Sequence, residues 1–252
     1  CTANLPDPAI EDPSTVFDIA TFKGTGATIT RSPYSFKPDF VWFKGRSDSN
    51  DGHELYDAVR GTTKGLYSHL TNGEGTESNG LTAFTDNGFT TGNGGWVNTD
   101  GDTYVAWGWD AGTAAGSPKS GASGQTITAS NSWYNATAGF EILKWSGTGS
   151  AGKIGHNLGA PPEFLIIKQT TAHGTSGVGD GNWIAGHDGL GAGDGRLIFN
   201  GTHNWDSGND SAAHWNDVTP TNELFGLGTS GNVNGSGGTY IGYIWRSVEG
   251  YS

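Results

Sequence analysis

The sequence predicts an all-β protein made of two tandem, duplicated β-sandwich modules of the jelly-roll or lectin-like kind. A unit of roughly one hundred residues occurs twice along the chain. The 44 glycines and ten tryptophans suit short strands, with bulky core side chains, that are joined by tight turns. Apolar runs are short, and only 53–61 has any helical character, about one turn of it. These three observations favour two β modules over a helical or mixed fold.

The duplication is visible in pairs of matching segments. KPDFVWFK at 37–44 returns as PPEFLIIK at 161–168, 124 positions later. VNTDGDTYVAWGW at 97–109 returns as VNGSGGTYIGYIW at 233–245, 136 positions later. The separation grows because the second copy carries about a dozen extra residues between these segments. Such a long period indicates two domains in series and excludes a solenoid.

The chain divides into four parts in order. Residues 1–14 hold three prolines and are expected to form an extended lead-in. The first sandwich module covers 15–112, and the second covers 138–252. Between them, 113–137 is rich in Gly, Ser, Ala and Thr and reads as a linker. Strands are expected at FDIATF, DFVWFK and TYVAWGW and at their counterparts in the second copy.

The last strand of each copy is expected to supply its module's core from one face, since alternate side chains of a strand share a face. The predicted core residues are Val105, Trp107 and Trp109, with Ile241, Tyr243 and Trp245 as their counterparts. Small residues on the opposite face, Ala106 and Gly242, indicate that another element packs closely there.

Composition excludes several classes of partner. The net charge of −12 argues against nucleic acid and anionic membrane surfaces, which both require basic patches. No apolar run approaches the ~20 residues of a membrane-spanning helix, so membrane insertion is not expected. The single cysteine, Cys1, excludes an intrachain disulfide. An N-terminal cysteine is found both in mature lipoproteins and in fragments of longer chains, and both explanations stay open.

No pattern in the sequence indicates catalysis. The seven histidines show no zinc-binding spacing, and no GxSxG-like nucleophile elbow is present. Acidic loops at 47–54, 98–103 and 191–195 have oxygen ligands suited to calcium, although the same residues are ordinary turn formers. We therefore expect a protein that is not an enzyme and has no cofactor, with calcium as a weaker alternative.

Tryptophans in polar, glycine-rich surroundings are the best ligand-binding candidates, because sugar rings stack on aromatic faces. The alternative is that these rings plug the ends of the sandwiches. The five tryptophans are Trp96, Trp133, Trp183, Trp205 and Trp215. Trp205 is favoured because its segment differs most between the copies. The predicted ligand-binding residues are His203, Trp205, Asp206 and Trp183.

Several segments resemble a known family. CTANLPDPAI, FKPDFVWFKGRS, HELYDAVRGTTKGLYS and TYVAWGWDAG in the first copy, with FEILKWSGTGSAGKIGHNLGAPPEFLIIK and TYIGYIWRSVEGYS in the second, resemble repeat modules in virion proteins of marine tailed phages. The resemblance covers nearly all 252 residues. It implies a longer chain in which a SPRY-like β-sandwich precedes residue 1, and it supplies no catalytic residues.

Three functions follow as expectations. The leading one is a tail-fibre or spike part on the virion surface that adheres to a host glycan or protein. The second is a capsid decoration or spacer module without a ligand, and the third is a secreted polysaccharide-binding or hydrolase-associated module. The first implies other virion proteins as partners and a homo-oligomer, with three-fold symmetry expected from phage fibres in general.

Overall fold

The computed structural model of the chain describes residues 7–48, 51–112, 118–172, 174–191, 195–202 and 210–251. The first copy has nine strands and a single short α-helix within these ranges. In chain order they are β1 Phe17–Lys23, β2 Ile29–Arg31, β3 Phe40–Gly45, β4 His53–Asp57, β5 Lys64–Gly65, β6 Gly75–Thr76, β7 Leu81–Thr85, β8 Gly88–Thr91, α1 Gly95–Asn98 and β9 Thr103–Trp109.

The second copy has eight strands and one short α-helix within these ranges. Its elements are β10 Asn131–Asn135, β11 Phe140–Ser146, β12 Gly152–Gly155, β13 Phe164–Gln169, β14 Trp183–His187, β15 Leu197–Ile198, α2 Asp210–Trp215, β16 Leu224–Leu227 and β17 Thr239–Trp245. Short 3-10 turns occupy Pro13–Thr15 and Asp188–Leu190.

The strand orders confirm the all-β, duplicated sandwich architecture. The large sheet of the first copy has the order β1-β9-β3-β4, and that of the second has β10-β11-β17-β13-β14-β15. Without β10 and β15 the two orders are equivalent, and all their pairings are antiparallel. β10 lies inside 113–137, the range that the sequence predicts as linker, so the second copy's sheet begins before residue 138. The one-turn helix expected at 53–61 is wrong, because 53–57 form β4.

A buried asparagine explains why two short motifs occur in both copies: GTG at 24–26 and 147–149, and VN at 97–98 and 233–234. Asn98 Oδ1 accepts from Thr25 N at 3.0 Å, and its Nδ2 donates to Ala27 O. Asn234 makes the equivalent bonds to Thr148 N and Ser150 O. One side chain thus satisfies the backbone of a distant turn, which is the kind of pairing that buried polar groups require.

In the first copy, the large sheet packs on the three-stranded sheet β2-β8-β7 through the face opposite to the predicted one. Tyr104 and Ala106 of β9 are fully buried there, whereas Trp107 on the other face is only half-buried. A Cβ at Gly108 would lie 2.7 Å from the Tyr34 ring, so this close-packed face requires small residues. The prediction that Val105, Trp107 and Trp109 form this sandwich's core is therefore wrong.

The two large sheets also pack against each other and share a core. Phe40 stacks on Tyr243 with ring centroids 4.4 Å apart, and Trp109 meets Trp245 at 6.3 Å. Ile241 and Tyr243 are fully buried in this inter-sheet core. The opposite face of the second large sheet packs on the two-stranded sheet β12-β16. The chain is therefore a four-layer structure in which two sandwiches meet through their large sheets.

Buried polar groups join the two copies across this interface. Asp57 Oδ2 accepts from Arg60 Nε and, at 2.7 Å, from the hydroxyl of Tyr243. Lys168 Nζ donates to Thr71 O at 3.1 Å, which is another bond between the copies. Because Asp57 and Arg60 are fully enclosed, these bonds fix how the two large sheets sit on each other.

Candidate functional site: an aromatic cleft between the large sheets

Residues of both large sheets line a cavity of about 550 Å³. Both copies contribute to its walls, so the cavity exists only because the sheets pack together. Its aromatic lining consists of Trp42, Trp109, Phe164, Phe199 and Trp245, and its polar lining of Glu163, His187, Arg246 and Ser247. A mostly apolar cavity with a few convergent polar groups is the usual form of a small-ligand site. We call it the aromatic cleft.

One wall of the aromatic cleft is formed by Trp42 on β3 and Phe199 just after β15. Their ring centroids lie 5.9 Å apart in an edge-to-face arrangement. Trp42 Nε1 donates to His53 Nδ1 at 2.9 Å, which fixes the orientation of the indole. Phe199 is 43% exposed, an unusual state for a large apolar side chain in this protein. This wall therefore presents aromatic surface that no other part of the described chain covers.

The opposite wall is rigid because its rings stack in series. Trp245 stacks on Phe164 with centroids 5.4 Å apart and on Phe140 at 4.8 Å. Phe140 also belongs to the inter-sheet core, so this wall is continuous with the packed interior. A ligand entering the aromatic cleft meets rings whose positions are already fixed, which lowers the entropic cost of binding.

Polar groups at the rim are held in place by backbone contacts. Arg246 donates to Ser247 O and to Ala136 O, both at 2.7 Å. His187 Nδ1 accepts from Gly189 N at 2.9 Å, so the neutral imidazole carries its proton on Nε2. With the Glu163 carboxylate, the rim offers both donors and acceptors, which is the combination that hydroxyl groups need.

The rim charges differ from those at the matching position in the first copy. Glu163 N donates to Trp245 O at 2.8 Å, and Asp39 N donates to Trp109 O at the same distance. Glu163 and Arg246 of the second copy thus correspond to Asp39 and Asp110 of the first. Burial, and secondarily the nearby charge of Asp110, raises the pKa of Asp39 to about 8. The second copy therefore combines opposite charges where the first combines two acids.

The sequence-predicted site is not brought together by the described residues. His203, Trp205 and Asp206 lie outside them. Trp183 is fully buried in the inter-sheet core, and its Nε1 donates to Tyr67 O at 2.9 Å. Its ring has no exposed face for a ligand, so the assignment of Trp183 as a ligand-binding residue is wrong.

The other tryptophans of that set divide between two roles. Trp215 is 4% exposed and packs over Gly186. This agrees with the alternative in which these tryptophans close the ends of the sandwiches. Trp96 and Trp133 are half-buried and lie away from the aromatic cleft. Trp42 and Phe199 were not predicted as site residues, and Trp109 and Trp245 were predicted to lie in separate cores. The alternation of side chains along β3 and β9 does place Trp42 and Trp109 on one face of the sheet. This was the signal in the sequence from which part of the site could have been predicted.

Two other features are absent from the described residues. No group of three or more His, Cys, Asp or Glu side chains there is arranged to hold a metal ion. No helix in the same ranges has the length and apolarity that a bilayer crossing requires.

Comparison with known proteins gives one match. The model of a family described as a domain of unknown function, DUF7483, matches residues 12–252. Neither the curated proteins nor the solved structures contain a significant match.

Proposed function

Since its family model matches almost the whole chain, the protein belongs to the DUF7483 family, and we propose that it is a virion structural protein that binds a host-surface glycan in the aromatic cleft. The observation that carries the proposal is the cleft itself: about 550 Å³, with aromatic walls and a rim of hydrogen-bonding groups. The phage assignment comes from the resemblance of the motifs quoted above, and it makes the chain part of a tail fibre or spike.

The chemistry of the aromatic cleft suits a sugar. A pyranose ring presents C–H groups on its faces and hydroxyl groups around its edge. The faces pack on aromatic rings such as Trp42 and Phe199, and the hydroxyls bond to Glu163 and Arg246 at the rim. Binding without turnover is proposed, because the site combines stacking surfaces with fixed polar groups and no activated nucleophile was found in the sequence.

The overall charge narrows the class of glycan. At −12 the chain repels polyanions at long range, and a repelled ligand associates slowly. A neutral glycan, or one carrying basic groups, is therefore the expected ligand. Other virion proteins are the proposed structural partners. A homo-oligomer, most simply a trimer, would raise apparent affinity by presenting several clefts, with avidity gains of ~10²–10⁴.

Glycan binding tests the proposal directly. The protein is screened against an array of neutral envelope oligosaccharides of marine bacteria, and the best binder is then titrated by calorimetry. Phe199→Ala and Trp42→Ala should each weaken binding at least tenfold, about 1.4 kcal/mol. Ile19→Ala is the matched control, because Ile19 is 52% exposed but does not line the aromatic cleft.

Three outcomes would contradict the proposal. Glycan binding that is unchanged in both cleft variants would show that the ligand site lies outside the aromatic cleft. No binding to any oligosaccharide would favour the spacer or capsid-decoration function, which the four-layer packing also suits. Release of reducing sugar from a bound polysaccharide would instead favour the hydrolase-associated function.

A further inference from the structure

A second cavity lies in the first copy, away from the aromatic cleft. It has a volume of about 340 Å³ and is formed beside β4 by the segments that follow it. Glu54, Tyr67, Glu77 and Trp96 supply its side-chain lining, and Gly80, Gly94 and Gly95 complete the wall. None of these residues belongs to the cleft, so this acidic–aromatic pocket is a separate feature.

Two carboxylates face the pocket, and each is held by a tyrosine. Glu54 Oε1 accepts from the Tyr56 hydroxyl at 2.6 Å, and Glu77 Oε1 accepts from the Tyr67 hydroxyl. A Cβ at Gly65 would lie 3.0 Å from both Glu54 Oε1 and Glu77 Cγ, so these atoms are at most about 6 Å apart. Each carboxylate has further lone pairs that can accept bonds from a ligand.

The pocket also has an aromatic wall. Trp96 meets Tyr67 edge-to-face with centroids 5.0 Å apart, and it contacts His69 at 5.6 Å. Trp96 is half-buried, so its position is fixed while part of its ring stays accessible. Aromatic rings beside carboxylates attract organic cations, through the negative charge of the ring face and of the carboxylate.

The repeat shows that the fold does not require an acid at position 54. Glu54 pairs with Phe43 between β3 and β4, and Ile184 pairs with Ile167 at the matching place in the second copy. Ile184 is fully buried and apolar, whereas Glu54 is only 4% exposed and ionisable. Burying a carboxyl group is costly, and an apolar residue usually serves packing as well or better. The acid in the first copy therefore points to a role other than packing.

The electrostatics of the pocket favour a cation. Burial, and secondarily the nearby charge of Glu77, raises the pKa of Glu54 to about 7, although the bond from Tyr56 opposes this. Near neutral pH the Glu54 carboxyl group can therefore hold a proton. A cation of the right shape can replace that proton and restore both carboxylates.

We propose that the acidic–aromatic pocket binds a primary ammonium group on a small organic molecule, such as an amino sugar or an alkylamine. Its three N–H donors match the two carboxylates, and its carbon skeleton packs on Trp96. The volume of about 340 Å³ exceeds that of a bare ion and accommodates the attached carbon atoms. A divalent metal fits less well, because the described residues provide no third carboxylate or imidazole there.

Calorimetric titration with n-butylammonium chloride tests this inference, with n-butanol as the neutral analogue at the same ionic strength. Saturable binding of the ammonium alone is expected. Glu54→Gln and Glu77→Gln should each weaken it at least tenfold, and Trp96→Ala should weaken it several-fold. Melting temperatures of all variants are measured, and near-identical values for the Gln variants show that the fold is intact.

Two controls separate this site from other effects. Glu223→Gln makes the same change in net charge at an exposed position outside the pocket and should leave binding unchanged. Phe199→Ala, which alters the aromatic cleft, should also leave ammonium binding unchanged. The ammonium titration therefore tests this pocket independently of the proposed glycan site. Equal binding of butanol, no saturation, or full affinity in both Gln variants would overturn it.

Discussion

Replacing Arg60 with methionine tests the packing of the two copies at its most constrained point. Arg60 and Asp57 have no exposed side-chain surface, and Tyr243 of the second copy donates to the same carboxylate oxygen. Arg60 also donates to Leu55 O at 3.0 Å and Lys64 O at 2.7 Å. Removing the guanidinium leaves a buried carboxylate without its cation and takes one donor from each carbonyl group, although Leu55 O still accepts from Leu66 N at 3.1 Å.

The expected cost follows from these contacts. Breaking a buried pair by removing one partner typically costs about 3–5 kcal/mol, and we expect Arg60→Met to lie in this range. Tyr243→Phe removes one bond to a charged acceptor, while Arg60 still contacts Asp57, so about 1.5–3 kcal/mol is expected. Since Tyr243 belongs to the second copy, both changes should lower the stability of the whole chain.

Urea unfolding followed by tryptophan fluorescence and by circular dichroism measures both effects. Coincident single transitions are expected from the two probes, because the copies share a core. Lys23→Met, at an exposed position, is the control and should change stability by no more than about 0.5 kcal/mol. If Arg60→Met costs less than about 1 kcal/mol, or if one copy unfolds while the other stays folded, the interface described above is wrong.

Two further predictions concern positions outside this network. Gly108→Ala should lower the free energy of unfolding in urea by about 1–3 kcal/mol, because its Cβ would lie 2.7 Å from the Tyr34 ring. An unchanged free energy of unfolding would show that this face is not closely packed. Burial, and secondarily the nearby charge of Asp110, raises the pKa of Asp39 from the usual 3.8 to about 8 in the folded state. Between these pH values the folded state therefore holds a proton that the unfolded state has lost. Its contribution to stability is therefore present below about pH 4 and is lost as the pH rises towards 8. The Asp39→Asn variant should lose less unfolding free energy as the pH rises over this range. An equally steep loss in the variant would refute the assignment of this pH dependence to Asp39.

Much of the fold could be predicted because its signals are local. The GTG and VN motifs repeat because Asn98 and Asn234 bond to the same turn in each copy. The run at 40–43 is continuously apolar because Phe40 faces the inter-sheet core while Val41 faces the smaller sheet. The repeated motifs and the apolar run are both visible in short stretches of sequence.

The choice of packing partner could not be predicted in the same way. Both faces of β9 are apolar, and alternation shows which residues share a face but not what covers that face. The packing of the two large sheets on each other buries Tyr243, while its counterpart Trp107 stays half-buried. The aromatic cleft depends on the same packing, so no signal in the sequence joins Trp42 to Trp245.

The most direct test of the central claim, that the aromatic cleft is the ligand site, is fluorine NMR of protein labelled with 5-fluorotryptophan. Resonances are assigned by single Trp→Phe variants, and the best-binding neutral envelope oligosaccharide is titrated in. The account predicts that the signals of Trp42, Trp109 and Trp245 shift, while those of the buried Trp145 and Trp183 stay unchanged. Shifts confined to Trp96 or Trp205, with the cleft signals unmoved, would contradict it.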